Sequence, residues 1–313
     1  MCGIAGYLSR AGSDEPVGRV LLDMLTGLAR RGPDSAGIAL FGSGGDGSQR
    51  VWVRMPEGVD SAVSEATIRE RLAGLAEIRR LERHGQLVRM DLWLDGPAGA
   101  LSAALERPGE DFEIVSVGEH LEVVKQIGAP GGLESSFGVA EMRGSHAIGH
   151  TRLSTESRVD LSHSQPFWAH GVADLATVHN GHITNYDRLR RIYEQRGVRF
   201  FSENDSEVIG VYLADQLERG RSLEQALANS LDDLDGSFTY LVATADSIGY
   251  ARDPFAFKPL ITVETPEYVA IANEEIAIRH ALGPAGMAHE PSGHVCRLWH
   301  RTPSPATAAT AAA

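Results

Sequence analysis

Met1-Cys2-Gly3-Ile4-Ala5-Gly6-Tyr7-Leu8 opens the chain. It has no basic n-region and no long apolar h-region, so it does not read as a signal peptide. It reads as a short buried strand, with Ile4, Ala5, Tyr7 and Leu8 as the packing positions. Cys2 is small and follows an initiator Met, the setting in which that Met is removed. Removal leaves one residue carrying both a thiol and a free α-amine. These titrate at about 8.5 and about 7.7–8.0, close enough for proton exchange near neutrality. A nucleophile of this kind needs no separate histidine. The plain alternative is a small buried Cys in a first strand.

The rest of the composition narrows the function. The chain has 313 residues, 42% hydrophobic and 23% charged, with a net charge of −13. An acidic surface repels phosphate backbones and anionic membranes, so nucleic acid is not an expected partner. No apolar run approaches the roughly 20 residues of a membrane span. Cys2 and Cys296 are the only cysteines. That excludes a disulfide framework and points to a cytoplasmic location. Cys296 reads as structural.

Helical spacing runs from Val17 to Arg30, with basic residues at the end where the helix dipole favours them. Arg31-Gly32-Pro33-Asp34-Ser35-Ala36-Gly37 is turn-rich and feeds a strand at Ile38 to Phe41. Ser43 to Ser48 reads as a hairpin loop. No helix follows it, so it lacks the context for phosphate binding. Residues 60–84 read as one charged helix with an apolar stripe. The stretch from about 57 to 140 carries no chemical motif and is taken as an insertion or subdomain.

The middle of the chain is more informative. A strand ends in His150-Thr151-Arg152, and another ends in His179-Asn180-Gly181-His182. A helix follows at Tyr186 to Arg196, and the next opens at Ser202-Glu203-Asn204-Asp205-Ser206-Glu207. Ser222 and Gln225 form a capping box for a third. The last third is β-rich, and 302–313 reads as a disordered tail. Singly, Arg152 reads as a surface charge, Asn180-Gly181 as a turn and Asp205 as a helix cap. Together they offer a thiol, an amide and a backbone N–H for an oxyanion, a guanidinium for a carboxylate and a carboxylate for an ammonium. Carboxylate, ammonium and carboxamide are the three polar ends of glutamine.

These stretches, in order, resemble the motifs of class II glutamine amidotransferases over about residues 1–281, the insertion excepted. Finer likeness runs to stand-alone glutaminase subunits related to glutamate synthase and N-methylglutamate synthase. It is carried by Gly149 to Ser157, Ser162 to Phe167 and Arg252 to Pro259. The resemblance implies an α+β fold, the four-layer αββα sandwich of N-terminal nucleophile hydrolases with two antiparallel sheets. It implies a single domain over 1–301 that hydrolyses L-glutamine to glutamate and ammonia through a Cys2 thioester. Cys2 would be the nucleophile and its amine the base. Asn180 and Gly181 would form the oxyanion hole, Arg152 and Asp205 would hold glutamine, and Arg31 would brace the Cys2 loop. His150 and His179 would orient neighbouring residues. Leu153 departs from the pattern, since many members carry Trp there.

No spacing among His150, His163, His170, His179 and His182 resembles a zinc pattern, so no metal is expected. No cofactor motif is present in this chain. The resemblance implies a glutamate synthase-like flavoprotein subunit as partner, with room for FMN and an iron–sulfur centre in that subunit. Asparagine synthetase shares part of the pattern but needs a further ATP-binding domain. A non-catalytic regulatory or scaffolding subunit and an amidase for another amide are the other readings. The intact Cys2, Arg152, Asn180 and Asp205 count against the former, and the Arg152 and Asp205 pair against the latter.

Overall fold

The computed structural model describes residues 2–107, 112–154 and 158–301. The expected removal of Met1, the tail at 302–313 and Thr155 to Ser157 lie outside them. Among the described residues the strands are β1 Gly3–Ser9, β2 Ser35–Phe41, β3 Gln49–Arg54, β4 Ala76–His84, β5 Leu87–Leu94, β6 Glu113–Gly118, β7 Leu121–Ile127, β8 His146–Arg152, β9 Phe167–Trp168, β10 Ala176–Ile183, β11 Gly236–Ala243, β12 Ser247–Arg252, β13 Ile261–Glu264, β14 Tyr268–Ala272, β15 Ala288–His289 and β16 Val295–His300. The α-helices are α1 Val17–Gly27, α2 Ser61–Leu72, α3 Ala98–Leu105, α4 Gly131–Phe137, α5 Tyr186–Gln195, α6 Asp205–Glu218, α7 Leu223–Asp233 and α8 Glu275–Leu282.

β1 is central to a seven-stranded sheet ordered β15-β13-β14-β1-β8-β2-β7. A five-stranded sheet, β16-β12-β11-β10-β9, faces it. Every strand pairing among the described residues is antiparallel. β1 is buried along its whole length because both sides of its sheet are covered. Ile4 and Leu8 bury fully, each contributing roughly 1.5–3 kcal/mol by area removed from water. The two sheets approach so closely at Gly6 that a Cβ there would meet Ile248 Cδ1 at 2.9 Å. Helices α1 and α8 cover the seven-stranded sheet, and α6 and α7 cover the other. The result is the αββα sandwich.

The local readings fare unevenly. Val17, Leu21, Leu22, Met24 and Leu25 are the buried face of α1, as the spacing requires. The helix stops at Gly27, and Ala29–Arg31 forms a 3₁₀ turn rather than a final α-turn. Ser222 and Gln225 form the expected capping box of α7. Ser43 to Ser48 is not a hairpin loop, because β2 and β3 lie in different sheets. The proposed helix at 60–84 is half right. It ends at Leu72, Gly74 turns the chain at φ +81°, and Ala76–His84 is a strand. β4, β5, β3 and β6 make a third, four-stranded sheet. The segment at about 57–140 therefore divides. Its strands as far as Gly118 build the added sheet, whereas β7 closes the edge of the main sheet.

Candidate functional site

Strand register brings the motif residues together. Gly3 pairs with Thr151 across β1 and β8, and Arg152 pairs with Ser35 across β8 and β2. Cys2 and Arg152 therefore lie at the same end of adjacent strands. The Cys2 Sγ lies 3.8 Å from the Leu153 carbonyl oxygen. Gly32 packs against this edge so closely that a Cβ would lie 2.5 Å from the Arg152 nitrogen. Asp34 ties the turn to β8: its N–H donates to the Arg152 carbonyl at 3.0 Å, and its Oδ2 accepts from the Ser154 N–H at 2.8 Å.

Arg31 does not serve the end of α1. Its Nε donates to the Cys2 carbonyl at 3.0 Å, and its Nη1 pairs with Glu274. Asn273 grips the next residue. Its Oδ1 accepts from the Ile4 N–H at 2.5 Å, its N–H donates to the Ile4 carbonyl at 3.2 Å, and its Nδ2 donates to Pro259. Asn273 and Glu274 had no role in the sequence reading. They stand more than 240 residues from the turn they hold, and no local pattern marks them.

The second group comes from β10 and α6. β10 runs through Ile183, so His179, Asn180 and Gly181 lie within the strand rather than beyond its end. Gly181 adopts φ +145°, and a Cβ there would lie 2.2 Å from the Ser237 carbonyl oxygen. This position excludes a side chain. Asn180 is buried, and its Nδ2 has no hydrogen-bond partner among the described residues. Asn204 caps α6, its Oδ1 accepting from the Ser206 N–H at 3.0 Å. Asp205 is released from that task, although its Oδ2 accepts from the Ile183 N–H at 2.7 Å.

His179 is anchored by Ser206 Oγ at 2.8 Å from its Nδ1 and by Gln165, whose Oε1 accepts from the His179 N–H at 2.5 Å. Gln165 also donates to Ser206 Oγ at 2.9 Å. Gln165 and Ser206 sit inside stretches singled out by sequence but without individual roles there. Burial lowers the His179 pKa against the opposing pull of Asp205. Burial also lowers His150, to about 3, so its ring is neutral at pH 7.

Cys2, Arg152, His179, Gly181 and Asp205 line one cleft of about 390 Å³, with Glu203 and Tyr186 further along its wall. Asn180, Arg31 and His150 do not line the cleft. Asn180 and His150 are buried in strands that contribute to its wall, and Arg31 acts on the Cys2 backbone. The cleft holds a thiol, a cation and a carboxylate, enough to bind both ends of an amino acid and attack its side chain. Among the described residues no group of three or more His, Cys, Asp or Glu could hold a metal ion. No helix among them is long and apolar enough to cross a membrane.

A sequence profile described as "Glutamine amidotransferase domain" matches residues 150–280. The "Glutamine amidotransferase-like protein GlxB" of Rhizobium meliloti is 37% identical over 98% of this chain and 97% of its own length. The amidophosphoribosyltransferase of Methanocaldococcus jannaschii is 31% identical over 56% of this chain and 38% of its own. Among solved structures, glutamine phosphoribosylpyrophosphate amidotransferase from B. subtilis superposes with a TM-score of 0.59 at 20% identity. That match covers 96% of this chain and 49% of that one, so this chain spans about half of that enzyme. At this identity the match speaks for the fold alone. The relatedness along nearly the whole of GlxB, with the αββα sandwich and the N-terminal Cys2 beside Arg152, places the chain among the class II glutamine amidotransferases.

Proposed function

We propose that this protein hydrolyses L-glutamine through Cys2 and delivers the ammonia to a partner synthase subunit. The observation that carries the reading is the convergence of Cys2, Arg152, Gly181 and Asp205 on one cleft. In this reading Arg152 pairs with the α-carboxylate and Asp205 with the α-ammonium of glutamine. The Cys2 Sγ attacks the carboxamide carbon once its proton has passed to the α-amine of Cys2. The developing oxyanion accepts a hydrogen bond from the Gly181 N–H, and the Asn180 Nδ2, buried behind the cleft wall without a partner among the described residues, is its second donor once glutamine is bound. The ammonium form of the α-amine then returns a proton to the leaving nitrogen, and ammonia departs. Water attacks the remaining thioester, releasing glutamate and the thiol.

The partner follows from the chemistry of the product. Ammonia released into water at pH 7 is mostly protonated and poorly nucleophilic. The glutamate synthase-like stretches at 149–157, 162–167 and 252–259 support a flavoprotein acceptor subunit, with any FMN or iron–sulfur centre residing there. A regulatory subunit that retains the fold without turnover is the second reading, and a blocked Cys2 amine would favour it. The test is a glutamate-release assay on the purified chain, its Cys2→Ala variant and the natively co-purified complex. Turnover lost in Cys2→Ala and stimulated by the partner supports the reading. Turnover unaffected by Cys2→Ala overturns it.

A further inference from the structure

The added sheet and the seven-stranded sheet meet at a buried ion pair. Lys125 on β7 and Glu113 on β6 are both buried, with Nζ 3.8 Å from Oε1. Glu113 Oε2 also accepts from Arg54 Nε on β3 at 2.8 Å. Charges this deep are costly unless fully partnered. Two further hydrogen bonds to the pair come from one short strap, residues 158–165, and Lys125 Nζ also lies 5.5 Å from the centre of the Phe167 ring. Ser162 Oγ donates to Glu113, and Lys125 Nζ donates to the Ser164 carbonyl at 3.1 Å.

The same strap holds the substrate-binding side of the cleft. The Arg158 carbonyl accepts from Arg152 Nη1 at 2.7 Å. The His163 carbonyl accepts from Asn204 Nδ2 at 3.3 Å, directly before Asp205. Gln165 bonds to the His179 backbone and to Ser206. Within the strap, His163 Nδ1 lies 2.7 Å from Asp160 Oδ1, and Ser164 Oγ donates to the Asp160 carbonyl at 2.6 Å, which ties residues 160–164 together.

We infer that Lys125, Glu113 and Ser162 are positioning residues that set glutamine affinity, fixing through the strap the spacing between Arg152 and Asp205. This rests on the reading of Arg152 and Asp205 as the two ends of the glutamine site. Among the described residues no hydrogen bond ties the strap to Cys2, whose carbonyl accepts from Arg31 and whose strand is gripped at Ile4 by Asn273. The clamp therefore acts on binding and leaves the thiol chemistry intact. It also gives the added sheet mechanical access to the site, because β3 and β6 supply Arg54 and Glu113.

The experiment compares the full-length protein with Ser162→Ala, Ser162→Thr and the double variant Lys125→Met/Glu113→Leu. Ser162→Ala removes one strap contact while Glu113 keeps Lys125 and Arg54, so no buried charge is left alone. The double variant removes the two fully buried charges together and leaves Arg54, which is partly exposed, to be solvated in place of its carboxylate, so its folding is checked by urea unfolding before kinetics. For Ser162→Ala the KM for glutamine should rise about 3- to 10-fold, the range of one lost hydrogen bond, with kcat within about two-fold. Ser162→Thr should restore the parent KM, and the double variant should raise KM at least as much as Ser162→Ala. Glutamine binding by calorimetry in a Cys2→Ser background should shift in parallel, independently of turnover. Unchanged KM and binding in folded Ser162→Ala and in the double variant overturn the clamp while leaving the glutaminase reading intact. Absence of glutamine binding in the Cys2→Ser parent overturns the glutaminase reading, and the clamp with it.

Discussion

Arg31 Nε donates to the carbonyl oxygen of Cys2 at 3.0 Å, and the same guanidinium pairs with Glu274. A planar fork thus links the first described residue to the start of α8, fixing where the thiol and its amine sit. Arg31→Lys keeps the charge but loses the fork geometry. Its kcat for glutamine should fall by about 10²-fold, the cost of an ångström-scale misplacement, with little change in KM. Steady-state kinetics of Arg31→Lys and Glu274→Gln test this. A rise in KM alone would move Arg31 from the nucleophile to the substrate.

Asn273 satisfies the backbone of Ile4 on both sides. Asn273→Ala leaves a buried N–H without its acceptor, which costs about 1–3 kcal/mol. Denaturant unfolding should show that loss, and kcat should drop together with stability because the strand carrying Cys2 loosens. Full stability in Asn273→Ala would mean that water replaces the side chain.

Binding and chemistry separate between Arg152 and Asn180. An ion pair made by Arg152 is present in both ground and transition states, so Arg152→Ala should raise KM most strongly. An oxyanion donor acts as charge develops, so Asn180→Ala should lower kcat by about 10²–10³-fold. Equal kcat losses with unchanged KM in both variants would contradict the assignment.

Two buried histidines give the fold an acid limit. Burial holds His146 to about 4 and His150 to about 3. In the unfolded chain both titrate near 6.5. Between those values the unfolded chain binds more protons, so stability is full above about pH 6.5 and falls as pH drops towards 4. His146 lies away from the cleft, bonding to Ser145 Oγ and the Thr244 carbonyl at 2.7 Å each. His146→Gln keeps a donor for Thr244 and should flatten the pH slope by about 1.4 kcal/mol per unit. Urea unfolding at pH 7 and pH 5 reads it, and parallel slopes in both proteins would refute it.

How much of this was legible in the sequence depended on whether the signal was local. The buried strand at Ile4 to Leu8, the α1 face and the Ser222–Gln225 capping box follow from spacing alone. β4 did not, because its apolar residues Ala76, Ile78 and Leu81 are spaced two and then three apart. The register shift between Ile78 and Arg80 against β5 explains this: an extra residue breaks the strand alternation and imitates a helix stripe. In the site, Cys2, Arg152, Gly181 and Asp205 were legible as a set: singly each has an ordinary reading, but together their groups match the polar ends of glutamine and their stretches resemble one family in order. Gln165, Ser206, Asn273 and Glu274 were not, since their partners, backbone groups and side chains alike, are distant in sequence and only the folded chain brings them near.

Attack of the Cys2 thiol on the carboxamide of glutamine is the step on which the proposed function turns. Intact-mass analysis after treatment with a diazoketone analogue of glutamine tests it most directly. The account predicts a mature chain lacking Met1, one covalent adduct mapping to Cys2, protection by glutamine and no adduct in Cys2→Ala. An active preparation that retains Met1, or an adduct that persists in Cys2→Ala, would contradict it.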